Sequence, residues 1–148
     1  MLTKAQFMNT DKLVGDLLHA HGLRKTQIRV EIIQQFMASD FGLRASEIIN
    51  SLKANHDRVT VYRALNSFEE NGIIHKASED ANGVKYALCG SECSSDHHED
   101  THAHFVCDEC QNTFCLDDVK IPQPKVSDEL TVNQVTFTIN GICKECKA

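Results

Sequence analysis

No apolar run in this 148-residue chain approaches the roughly 20 residues that cross a bilayer, so no membrane-spanning role is expected. The stretch from Met1 to Thr10 lacks the basic region and apolar core of a secretory signal. Cysteine is missing before Cys89, although the chain holds seven. An odd number, four of them in two tight pairs, argues against a disulfide framework and for a reducing, cytoplasmic setting. Proline is confined to Pro122 and Pro124, which break the chain only in its second half. Net basic charge is also lacking: the formal charge is −6 and the pI about 5.7. That excludes non-specific coating of nucleic acid, while leaving room for local basic patches.

What is present divides the chain in two. Residues 1–75 carry nine Lys/Arg and eight Asp/Glu; residues 76–148 carry six and thirteen, along with every cysteine. The first part reads as helical. Leu13, Val14, Leu17 and Leu18 form an apolar stripe ended by Gly22. Thr26 can cap a second helix carrying Val30, Ile33, Phe36 and Met37. A third places Ala45, Ile48, Ile49 and Leu52 on one face. Asp57 can cap a fourth, where Val61, Leu65 and Phe68 face inward before Asn71-Gly72. Two β-like runs follow, Ile73 to Ser78 and Val84 to Leu88, joined by a turn from Glu79 to Gly83. Short helices followed by a hairpin outline a winged helix-turn-helix, or equally a small helical domain with a terminal hairpin. In the second part Ala103–Val106 and Thr113–Leu116 read as strands, Lys125–Leu130 as a short helix, and Val135, Phe137 and Ile139 as a half-buried strand.

The strongest motif is the pair Cys107-Asp108-Glu109-Cys110 and Cys143-Lys144-Glu145-Cys146, separated by 32 residues. Two CxxC turns converging on one ion make a tetrahedral four-cysteine zinc site, closed to substrate and therefore structural. The small core of this part leaves metal to supply stability, on the order of 10–16 kcal/mol in zinc-folded peptides. A second site is assembled from His75 at the first wing strand, Cys89 just after the second, and His102 with His104, spaced to face one side of a strand. Three imidazoles and a thiolate suit zinc, whereas iron or manganese draws carboxylate oxygens. Taken singly, these residues read equally as surface histidines and a small buried thiol. The polar run between Gly90 and Thr101 adds Cys93, His97 and His98, either as further ligands or as a solvated loop.

The fourth helix begins Asp57-Arg58-Val59-Thr60-Val61-Tyr62-Arg63. With Val61, Leu65 and Phe68 buried, Arg58, Thr60, Tyr62 and Arg63 face outward near the helix N-terminus, the end a recognition helix presents to the major groove. Elsewhere such residues are solvated surface; here their setting gives them meaning.

These segments together resemble the ferric uptake regulator family of bacterial metal-dependent repressors. The resemblance rests on Gly22-Leu23-Arg24-Lys25-Thr26 with Arg29, Val59 to Leu65, Gly72-Ile73-Ile74-His75, His102 to Cys110, and the closing Cys143 to Cys146 pair. It implies an α+β chain with a winged helix-turn-helix domain (1–88), a hinge loop (89–101) and a small zinc-bound α/β dimerisation domain (102–148). It further implies a homodimer, a sensing metal at the hinge, and a palindromic, AT-rich double-stranded DNA operator, with Lys25 reaching the minor groove and Tyr62 and Arg63 the major groove. Within the family, Cys89 after the second wing strand and His75 resemble the zinc uptake regulator branch. The glutamate and helix-three histidine of iron sensors fall at Ala87 and near Gly42. A third metal site of many relatives would need a carboxylate where Cys115 stands and a histidine near Val135, so it is expected to be absent. The implied function is a zinc-responsive repressor of metal uptake genes and not an enzyme; the alternative is an iron-, general metal- or redox-sensing repressor of the same family. A dithiol oxidoreductase lacks the βαβ setting it needs, and a zinc-stabilised interaction module without DNA binding would show no operator footprint.

Overall fold

The computed structural model describes residues 4–52, 56–89, 102–133 and 135–147, with the side chains of residues 4–7, 102 and 120 left outside the description. The first lobe opens with α1 (Lys4–Ala20), which ends as Gly22 adopts a left-handed φ of 72°. Helix α2 (Gln27–Ala38) follows; Thr26 occupies its N-cap position, but its side chain makes no cap bond. A two-residue strand β1 (Leu43–Arg44) leads into α3 (Ala45–Ser51), whose first turn is fixed by Glu47 accepting from the Arg44 backbone N–H at 2.7 Å. Helix α4 (Arg58–Glu70) begins as expected: the Asp57 carboxylate accepts from the Thr60 N–H at 2.7 Å. That bond holds the Asp57 carboxyl below its ordinary value. The helix ends at Asn71, followed by Gly72 at φ 77°.

Strands β2 (Ile74–Asp80) and β3 (Gly83–Leu88) form the wing and run longer than their apolar cores foretell. The strand β1 is an addition to the sequence reading: it pairs antiparallel with β3, giving the order β1-β3-β2. Two residues of Leu-Arg carry too little periodicity to register as a strand. A bulge between Lys76 and Ser78 breaks the register of β2 against β3. One core serves this lobe, built from Val14, Leu18, Val30, Ile32, Ile33, Phe36, Ala45, Ile48, Val61, Ala64, Leu65, Phe68, Ile73 and Ile74. Leu13 and Met37, expected inside, stand exposed.

The second lobe is a sheet of order β5-β4-β6. Strand β4 (His102–Cys107) pairs antiparallel with β5 (Thr113–Lys120) and parallel with β6 (Thr138–Gly141). Two expectations fail here. Residues 125–130 form no helix, only a turn in which the Leu130 N–H bonds the Ser127 carbonyl at 3.0 Å; the run is exposed throughout, so nothing packs against an apolar face to hold one. The last strand begins at Thr138, after Val135 and Phe137, and the second CxxC opens a short helix α5 (Lys144–Lys147). No helix among the described residues is long and apolar enough to cross a membrane.

The lobes meet along β5. The Gly42 N–H donates to the Thr113 carbonyl at 2.8 Å, and the Ser78 and Thr113 hydroxyls are 2.7 Å apart. The Phe41 and Phe114 rings pack edge to face with centroids 6.1 Å apart. Within the first lobe Gly42 packs closely on β3, since a Cβ there would stand 3.3 Å from both Lys85 Cβ and the Tyr86 carbonyl oxygen.

Phe68 is fully buried at the centre of the first-lobe core. Phe68→Ala is expected to cost about 3–5 kcal/mol, measured as a lowered denaturation midpoint; a change below about 1 kcal/mol contradicts this account of the core.

Candidate metal centres and nucleic-acid face

The sulfurs of Cys107, Cys110, Cys143 and Cys146 lie within 4.8 Å of one another, with Cys110 Sγ 3.7 Å from Cys143 Sγ. Tetrahedral zinc with Zn–S bonds of about 2.3 Å places its sulfurs about 3.8 Å apart, so the donor set fits zinc. The turns that present them are tied by backbone. The Cys107 N–H donates to the Asn112 carbonyl and the Gln111 N–H to the Cys107 carbonyl, each at 3.0 Å. The Asp108 N–H donates to the Gly141 carbonyl at 2.7 Å, joining the first turn to the end of β6. Gln111 takes a left-handed φ of 61° to complete the turn.

The thiols are electrostatically unequal. Backbone N–H groups, that of Cys110 foremost and then those of Cys143 and Glu109, bring the Cys107 thiol down to about 6. Hydrogen bonding with Cys143, reinforced by burial and the neighbouring sulfurs, pushes the Cys146 thiol up to about 12. A first thiolate makes the next harder to form at this spacing, and a divalent cation removes the conflict by neutralising several together.

A second convergence joins the lobes. His75 on β2 and His104 on β4 are both buried, and their Nε2 atoms stand 3.0 Å apart. Cys115 Sγ on β5 lies 3.6 Å from His75 Nε2. The three ligand atoms lie within 4.8 Å of one another. Around one tetrahedral zinc, nitrogen–nitrogen and nitrogen–sulfur separations would be about 3.3 Å and about 3.6 Å, so two imidazoles and a thiolate fit that ion.

This set differs from the one read from sequence. His75 and His104 come together as expected. Cys115, taken as the mark of a lost site, stands with them, so that among the described residues the cluster holds His75, His104 and Cys115. Register brings Cys115 in: β4 and β5 pair so that His104 directly opposes it. Cys89 lies one residue past β3, its N–H donating to the Ile73 carbonyl at 2.9 Å. The signal was available. A hairpin folded around the first CxxC, with Val106 opposite Thr113, places residue 104 across from residue 115. The His102 side chain, and Cys93, His97 and His98 in the loop, lie outside the described residues.

In the first lobe, α4 buries Val61, Ala64, Leu65 and Phe68 and exposes Arg58, Val59, Tyr62 and Arg63, with Thr60 half-buried. Tyr62 remains 47% exposed. Lys25, expected at the minor groove, pairs with Asp11 of α1 at 2.6 Å, with half of each side chain exposed. To reach a phosphate it must exchange that carboxylate.

The comparisons agree with this architecture. The model of the ferric uptake regulator family matches residues 20–140. A ferric uptake regulation protein of Staphylococcus aureus is 27% identical over 144 residues, covering 95% of this chain and 99% of that protein. Among solved structures, the ferric uptake regulator from Francisella tularensis with iron has a TM-score of 0.57 at 26% identity, covering 86% of this chain and 96% of that one. A zinc uptake regulator complexed with zinc and DNA has a TM-score of 0.66 at 20% identity, covering 99% and 97%, a likeness of fold. With the family match spanning most of its length and both the winged lobe and the four-cysteine lobe in place, the chain belongs to the ferric uptake regulator family of metal-dependent transcriptional regulators.

Proposed function

We propose that this chain is a zinc-responsive repressor of metal uptake genes, in which a metal bound between the lobes acts as corepressor. The observation that carries the reading is the meeting of His75 from the wing with His104 and Cys115 from the second lobe. An ion held by all three cannot let the lobes separate. Zinc is favoured by a donor set of two imidazoles and a thiolate with no carboxylate among them. Zinc takes four ligands, and Cys89 or His102 supplies the fourth. The four cysteines hold a structural zinc.

The chain acts as a homodimer through the second lobe, where Phe137, Ile139 and Ile142 expose apolar surface that a second copy can cover. In this reading residues 1–88 bind DNA, residues 89–101 form the hinge and residues 102–148 dimerise. Each α4 enters a major groove of a palindromic, AT-rich operator, with Arg58, Thr60, Tyr62 and Arg63 on the DNA and Lys25 at the adjoining backbone or minor groove. Without hinge metal the two recognition helices seldom match the groove spacing of about 34–36 Å. Shifting such an equilibrium from 1:99 to 99:1 takes about 5.5 kcal/mol of differential binding, within reach of three or four coordinate bonds.

Titrating zinc, iron(II) and manganese(II) into the purified dimer, with operator binding as the readout, tests the metal assignment; tighter operator binding with iron(II) than with zinc would replace zinc by iron. Cys115→Ser is expected to abolish zinc-dependent operator binding while leaving a folded dimer, and an unchanged zinc midpoint would remove Cys115 from the site. Cys89→Ser separates the two candidates for the fourth ligand: weakened zinc binding assigns it to Cys89, unaltered binding to His102. Cys107→Ser should instead unfold the second lobe, seen as lost zinc and lost dimer. Arg63→Ala should weaken specific binding by about 1–3 kcal/mol if it reads a base; a loss equal on all sequences, with a shallower salt slope, assigns it to phosphate.

A further inference from the structure

Lys85 is an unusual residue for its place. It lies on β3 of the wing, is only 3% exposed, and its ammonium donates to the backbone carbonyl of Gln111 in the second lobe. Gln111 immediately follows Cys110 and is the left-handed residue that closes the first zinc turn. A lysine is almost never buried to this degree without a partner that repays its desolvation. Burial pushes the Lys85 ammonium below its ordinary value and Arg44 acts in the same sense, while Glu47, Asp80 and the Cys110 sulfur favour its charge. A zinc held by four thiolates carries a net charge of about −2, and such a centre one residue from Gln111 gives the buried cation a counter-charge.

Two residues on, at the start of β5, Thr113 is 1% exposed and takes further polar contacts from the first lobe, with the Gly42 N–H and the Ser78 hydroxyl. Two residues beyond that stands Cys115. The run from Cys110 to Cys115 therefore carries a ligand of the four-cysteine centre, both polar anchors of the wing, and a member of the interlobe cluster. The wing contributes in matching order: Lys85 to Gln111, Ser78 to Thr113, His75 to Cys115.

We infer that the four-cysteine centre is coupled to the interlobe site through this segment, with Lys85 as the positioning residue that seats the wing when the zinc turn is formed. The inference rests on the interlobe cluster binding metal, as proposed above. An intact zinc turn holds the Gln111 carbonyl where Lys85 reaches it, which sets His75 against His104 and Cys115 before the second metal arrives. Linkage is reciprocal: metal in the interlobe site must slow loss of zinc from the four-cysteine site by the same seating.

The test uses the full-length dimer with one zinc retained per chain, titrated with cobalt(II) and followed by the visible absorption of the thiolate-bound ion. Lys85→Met is expected to raise the cobalt midpoint roughly tenfold, within the usual range of coupling between sites. Zinc content and dimer should be unchanged, and Lys85→Arg should recover part of the affinity. In the wild type, bound cobalt should slow zinc transfer from the four-cysteine site to a chelator, and Lys85→Met should abolish that protection. Because Lys85 is 3% exposed and its ammonium is bonded to the Gln111 carbonyl, the salt slope of operator binding should not change, whereas loss of a phosphate contact would lower it by about 0.9. An unchanged cobalt midpoint in Lys85→Met overturns the inference, as does a loss that Lys85→Arg leaves entirely unrepaired. If Lys85→Met does not fold, Ser78→Ala, which removes the partner of Thr113, is read in the same way. Failure of the repressor reading is separate: it shows as wild-type operator binding indifferent to metal while the cobalt titrations stand.

Discussion

A shortage of apolar interior after residue 100 governs the behaviour of this chain. Among the described residues of the second lobe, the buried hydrophobic positions are Ala103, Cys107 and Cys143, and two of those belong to the four-cysteine cluster. A sheet of three short strands with so little to bury cannot offset its own ordering entropy. What ties it is covalent-like: four sulfurs placed for one tetrahedral ion, with the Asp108–Gly141 and Cys107–Asn112 backbone bonds closing the turns around them. The first lobe needs no such help, because Phe68, Leu65, Val61 and Ile48 meet in an ordinary core. The contrast separates two kinds of stability, one from burial and one that coordination at the four cysteines would supply.

That contrast also explains why the lobes meet through polar groups. An apolar interface would hold them together permanently and leave a ligand nothing to decide. The junction instead uses a hydroxyl pair, a hydrogen bond from the Gly42 N–H to the Thr113 carbonyl, the Phe41–Phe114 contact and a buried lysine. Each net contribution is small because water competes for the same groups when the lobes part. In the proposed reading, an ion at His75, His104 and Cys115 would favour the joined lobes by as much as it binds them better than the parted ones.

Much of the first lobe was legible because its signals are local. Asp57 stands three residues before the N–H it caps, Gly72 supplies the left-handed turn, and the apolar spacing of α4 leaves Tyr62 and Arg63 on the outer face. The four-cysteine cluster was legible for the same reason: each CxxC makes its own turn, and only one ion fits two of them. The interlobe cluster was half legible. His104 lies on a readable strand and His75 beside a readable helix stop, but Cys115 becomes a neighbour only through the pairing of β4 with β5. Its partner is set by strand register, which no local pattern around Cys115 encodes. The missed strand β1 and the absent helix at 125–130 have the same origin. One gains its pairing, and the other lacks its packing, from residues distant in sequence.

Charge gives the thiol at position 115 a physical meaning. Two neutral imidazoles and one thiolate leave a divalent ion with a net charge of about +1, whereas a second anionic ligand would neutralise it. The four-cysteine centre, at about −2, lies along the same strand pair. Lys85 sits between these fields, its ammonium on the carbonyl next to Cys110 and its strand paired with the one that carries His75. Removing the metal from the four-cysteine turn would leave the lysine beside thiols that need protons to coexist and without a firm acceptor at Gln111. The low-energy response is for Lys85 to return to water, and because it is rooted on β3, the wing must move with it. A residue that bonds neither metal nor DNA thus ties the integrity of one centre to the assembly of the other.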